Sequence, residues 1–81
     1  MDINEKILNH GAGCFDELVE SFSNEEIEEM NTEYIREDYK SDFDFKYNVA
    51  FAYVRDWLIE SIDNGYTGHE TQALFDIYCA M

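Results

Sequence analysis

Four side chains of this 81-residue chain have the soft or borderline donors that metal binding or nucleophilic catalysis draws on: Cys14, Cys79, His10 and His69. Structural zinc sites place such ligands in close pairs, and these four are scattered; His10 and Cys14 lie one helical turn apart only if Gly11 and Gly13 stay helical. A nucleophilic thiol needs an electropositive neighbourhood to favour the thiolate, and the residues around Cys14 are acidic. Two free, partly buried thiols are the expectation. The polar loop from Asp63 to Glu70 has too few carboxylates, and its glycines in the wrong place, for an EF-hand. No glycine-rich phosphate loop occurs. Carboxylate pairs such as Asp42 and Asp44 exist, but in a crowd of acids any two are neighbours. The reading is a protein that is not an enzyme, with no catalytic residues, no metal and no cofactor.

What remains is the carboxylates themselves. Nineteen acids against five basic residues give a formal charge of -14 and, with a sequence pI near 4.1, the sign of any electrostatic partner. Twelve of the acids fall between Asp16 and Asp44, where Arg36 and Lys40 leave a net charge of -10. The helix starting at Ser23 is expected to run through Asp38 and to carry Glu25, Glu26, Glu28, Glu29, Glu33, Glu37 and Asp38 at about one charge per 3 Å of axis. One strand of duplex DNA carries a charge per about 3.4 Å, so such a surface resembles a phosphate backbone in charge density. The run also lacks the interleaved lysines of a salt-bridged helix surface. Expected partner-binding residues are therefore Glu25, Glu28, Glu29, Glu33, Glu37 and Asp38, with Asp42 and Asp44 flanking and Tyr39 as an anchor that stacks on a partner arginine. The alternative is a solvated face that keeps the protein soluble.

The elements that must position these residues follow from apolar periodicity. From Asp42 to Asp63, Phe43, Tyr47, Ala50, Phe51, Val54, Leu58 and Ile62 recur at helical steps, while Val49, Ala52, Tyr53, Trp57 and Ile59 form a second apolar face, so this is a central helix. Ser41 with Asp44 starts it, and Asn64-Gly65 ends it with a residue suited to the left-handed cap. Asp2 with Glu5 and Ser23 with Glu26 have capping-box spacing, and Phe22 can staple onto Ile27. Phe15, Leu18, Val19 and Phe22 form a clean stripe after the Gly11-Ala12-Gly13 break, which leaves open whether the first two segments are one interrupted helix or two. The helix from Ser23 turns Ile27, Met30, Tyr34 and Ile35 inward. Thr67 with Glu70 opens the last helix, whose inner stripe is Leu74, Ile77, Tyr78 and Met81. The expected fold class is all-α: residues 1–81 as one compact bundle of four to five helices around the long helix 42–63.

Hydrophobic residues make up 46% of the chain, which excludes disorder despite the charge. The acidity argues against direct binding to nucleic acid or anionic membrane. Met1 to Lys6 has no basic leader character and no apolar run approaches a membrane span, so a cytoplasmic location is expected. Length, acidity and short helices resemble an acyl carrier protein, but Gly13-Cys14-Phe15-Asp16 offers no serine for the prosthetic group and comes too early in the chain. A resemblance in size, charge and compactness holds to the small acidic inhibitors that phages and plasmids direct against restriction, CRISPR and other nucleic-acid-binding host proteins. It implies an anti-CRISPR or anti-restriction type of inhibitor, acting as a DNA or RNA mimic on the basic surface of its target. The alternative is a small helical interaction module, an adaptor, antirepressor or assembly subunit, that binds through apolar and aromatic surface, with a homodimer among its arrangements.

Overall fold

The computed structural model describes residues 2–11, 13–31, 33–65 and 68–80. They form α1 (Ile3–His10), α2 (Phe15–Ser21), α3 (Asn24–Met30), a short 3-10 helix (Arg36–Asp38), α4 (Asp42–Asp63) and α5 (His69–Ala80), with no strand among them. At about 1.5 Å per residue α4 is roughly 33 Å long. The molecule measures 37 × 23 × 23 Å, so this one helix sets its long dimension. The bundle is all-α, and α2, α3, α5 and the 3-10 helix all pack on α4.

Two rows of buried residues explain how α4 serves so many neighbours. Phe45, Val49 and Ala52 form one row, and Ala50, Val54, Leu58 and Ser61 the other. At about 100° per residue the rows lie on nearly opposite sides of the helix. Around them gather Ile3 and Ile7 of α1, Phe15, Leu18 and Val19 of α2, Phe22, Ile27 and Met30 at α3, and Leu74 and Ile77 of α5, in one core. Ile59 and Ile62, which the periodicity places inward, are about half exposed, while Phe45, absent from the expected stripe, is 4% exposed. Bulk alone did not decide which side of the helix its neighbours cover.

The ends of α4 are as expected. The Asp44 backbone N–H donates to Ser41 Oγ at 3.1 Å, and Gly65 adopts a φ of 77° just past the cap Asn64, a conformation that costs glycine nothing. At Ser23 the capping box is complete: Glu26 N–H donates to Ser23 Oγ at 3.2 Å and Ser23 N–H to Glu26 Oε1 at 2.9 Å. At Asp2 the expected side-chain cap does not form. The first two segments are separate helices, divided at Gly11 with φ 70°, and His10 Nε2 closes the turn against the Cys14 carbonyl at 2.7 Å. Both cysteines are free and exposed, not partly buried as expected. Ala12, Tyr66, the cap Thr67 and the inner-stripe residue Met81 lie outside the described residues.

The main departure concerns α3, which ends at Met30 and does not continue through Asp38. Asn31 stops it. Its side-chain oxygen accepts the Tyr34 N–H at 2.9 Å and its amide donates to the Tyr34 carbonyl at 2.8 Å, so an asparagine side chain takes over the bonding that another helical turn would supply. Ile35, expected inside, is 58% exposed.

Lys6 joins the first three helices. Its ammonium donates to the Ser21 carbonyl at 2.7 Å and to Glu26 Oε1 at 3.0 Å, and sits 5.0 Å from the centre of the Phe22 ring.

Phe45→Ala should cost about 3–5 kcal/mol of unfolding free energy and Ile62→Ala no more than about 0.5, both read from urea melts. Hydrogen bonding from Ser23 N–H, and to a lesser degree Lys6, hold the Glu26 carboxyl below its usual 4.5. A lowered folded pKa adds stability above the unfolded value that is lost as the pH falls through the folded one. The stability difference between wild type and Glu26→Gln should therefore be full at neutral pH and shrink steadily once the pH drops below 4.5.

Candidate acidic interface

With α3 cut short, the acids expected on one rod and the two expected to flank it are distributed over four segments. Glu25, Glu28 and Glu29 lie on α3, Glu33 in the connection after it, Glu37 and Asp38 in the 3-10 helix, and Asp42 and Asp44 in the first turn of α4; all eight are exposed. No single helix therefore carries these charges at the spacing of a phosphate backbone.

The connection nevertheless keeps these acids on a defined track. The Tyr34 backbone is clamped by Asn31, and Tyr34 and Tyr39 meet edge to face with ring centroids 6.2 Å apart. Tyr39 in turn packs edge to face on Phe45 at 5.8 Å, and the Arg36 guanidinium covers the same Phe45 ring at 4.7 Å while pairing with Asp42. Arg55, further along α4, is drawn to Asp56 with Nε–Oδ1 at 3.3 Å; this carboxylate, with a smaller contribution from Tyr34, raises the pKa of the guanidinium. Segment 34–39 thus runs back along the N-terminal half of α4, from beside Arg55 to Asp42. Glu33, Glu37 and Asp38 travel with it. Aromatic rings hold the segment down, and its carboxylates remain in water.

Two of the expected site residues have intramolecular roles. Asp42 pairs with Arg36 and with Lys46, the latter at 3.4 Å, so its charge is already matched. Tyr39 is half-buried against the core, and burial, with help from Tyr34 and Asp38, pushes its hydroxyl pKa up. The others carry charge without a partner: among the described residues the ion pairs engage only Glu26, Asp42 and Asp56, which leaves sixteen of the nineteen acids without one. Among the bases, Lys40 alone makes no ion pair there.

Such a surface attracts cations over a range of about 8–10 Å at ordinary ionic strength and repels every phosphate. Among the described residues no three His, Cys, Asp or Glu side chains converge to hold a metal ion, and no helix is long and apolar enough to cross a membrane.

A cleft that sequence reasoning missed lies beside this surface. Tyr53, Asp56, Trp57, Glu60 and Ser61 on α4 and its cap Asn64 recur at three- and four-residue steps and, with Ala52, form one wall; Asn4, Met30, Tyr34 and Glu70 complete the lining. The spacing was visible in the sequence, but Tyr53 and Trp57 read there as core.

Adding sodium chloride should raise the urea midpoint, because screening relieves repulsion among many unpaired acids and weakens only a few ion pairs. No protein family, curated protein or solved structure matches this chain.

Proposed function

We propose that the protein is a non-enzymatic inhibitor that presents carboxylates in place of nucleic-acid phosphates and occupies the basic groove of a nucleic-acid-binding protein. The observation that carries this reading is that sixteen acids make no ion pair among the described residues, with Glu33, Glu37 and Asp38 exposed on a segment fastened to α4 by Tyr34, Arg36 and Tyr39. A surface made only for solubility gains nothing from such anchoring. A partner's basic groove does, because charges already fixed in place lose little freedom on binding. Glu25, Glu28 and Glu29 add charge from α3, and an anti-restriction or anti-CRISPR role in a host cytoplasm is the setting this chemistry fits.

A second reading is favoured by a separate observation. Ile59 and Ile62, one turn apart on α4, and Phe75 on α5 are each at least half exposed. Apolar side chains in that state suit an interaction module, an adaptor or homodimer, in which the acids serve solubility.

One experiment separates the two. The tagged protein, Glu25→Lys/Glu29→Lys/Glu37→Lys and Ile59→Ser/Ile62→Ser are each used to capture partners from a nuclease-treated bacterial lysate. Under the mimicry reading, wild type retains nucleic-acid-binding proteins that competing DNA or RNA releases. The triple reversal lowers that capture by about tenfold or more, since each reversal sets like charges together, and leaves the helical circular dichroism unchanged. Undiminished capture by the triple reversal, with loss in the serine variant, would overturn mimicry in favour of the module.

A further inference from the structure

We propose that the cleft walled by α4 binds an alkylammonium cation. The cleft encloses about 400 Å³, within the range of small-molecule sites, and its walls come from α1, α3, the segment after α3, α4 and α5. Three aromatic rings line it. Tyr53 and Trp57 stand edge to face with centroids 6.2 Å apart at 62°, and Tyr34 is the third. Ring faces attract an organic cation and accept its alkyl substituents together, which a carboxylate cluster alone does not do.

The charged groups that line the cleft are all acidic, and the cation beside it, Arg55, lies against Asp56 and Tyr34. Asp56, Glu60 and Glu70 line the cleft and no lysine or arginine does. Arg55 matches Asp56 from outside the lining, whereas Glu60 and Glu70 make no ion pair among the described residues. Tyr53 donates its hydroxyl to Asn4 Oδ1, and burial, with Asp2 and Glu29 adding, pushes that hydroxyl's pKa up, so it stays neutral.

Ser61, the one buried polar residue among those described at 5% exposed, brings a hydroxyl to the cleft wall. No buried side-chain nitrogen or oxygen among the described residues lacks a hydrogen-bond partner, so the rings and the unpaired Glu60 and Glu70 are what would hold the cation. The inference does not rest on nucleic-acid mimicry, since none of Glu25, Glu28, Glu29, Glu33, Glu37 and Asp38 lines the cleft.

Trp57 is the only tryptophan, so its emission reports this cleft directly. Choline, N-acetyl-lysine amide and the uncharged choline isostere 3,3-dimethylbutan-1-ol are titrated at constant ionic strength. Saturable changes in emission with choline or the lysine derivative, and none with the isostere, are expected. Tighter binding of choline assigns a free small amine, and tighter binding of the lysine derivative a protein side chain. Glu60→Gln and Glu70→Gln should each weaken binding about two- to fivefold, the effect of a partly solvated charge, while the remote Glu17→Gln leaves it unchanged. An equal response to the uncharged isostere, no saturable response to either cation, or equal weakening by Glu17→Gln would overturn the proposal.

Discussion

Self-repulsion is the constraint under which this fold stands. A chain of net charge -14 gains nothing from electrostatics on becoming compact, so apolar burial has to carry its stability. The few basic residues are placed where neighbouring segments meet. Lys6 ties α1 to the end of α2 and to the cap of α3, and Arg36 and Lys46 converge on Asp42, fixing the 3-10 helix to the start of α4. Arg36 and Lys6 also lie over Phe45 and Phe22, so each positive charge meets an aromatic face as well as an anion. Cations are scarce here, and Lys6, Arg36 and Lys46 act as joints.

That economy shapes the surface. Once the joints are made, most carboxylates make no ion pair among the described residues, and the outside of α3 and of segment 33–38 is left negative. The cleft adjoins this surface at Tyr34, whose ring lines the cleft and whose backbone is the anchor clamped by Asn31. Both candidate sites therefore depend on how the chain leaves α3.

Much of the fold was legible because local chemistry agreed with the tertiary result. Ser41 and Asn64-Gly65 mark α4 whatever packs against it, and Ser23 with Glu26 marks α3 in the same way. Legibility failed where a side chain could do either of two things. Asn31 can sit within a helix or bond the backbone three residues on, and only the second leaves Tyr34 free to reach Tyr39. Phe45 and Ile62 are equally greasy, and their fates differ because the 3-10 helix covers one and nothing described covers the other. The cleft escaped for a related reason. Tyr53 and Trp57 do touch the core, but a half-buried ring has a second face, and only the positions of α1 and α5 show what that face meets.

The contact between α1 and α5 bears on the order in which the molecule is made. In the order of the chain α5 follows the other described helices, so the contact with α5 is the last that α1 gains, after Lys6 and Asn4 have met Ser21, Glu26 and Tyr53. The cleft takes Asn4 from α1 and Glu70 from α5, so its outline needs that last contact. The cleft is thus among the last features of the molecule to take shape.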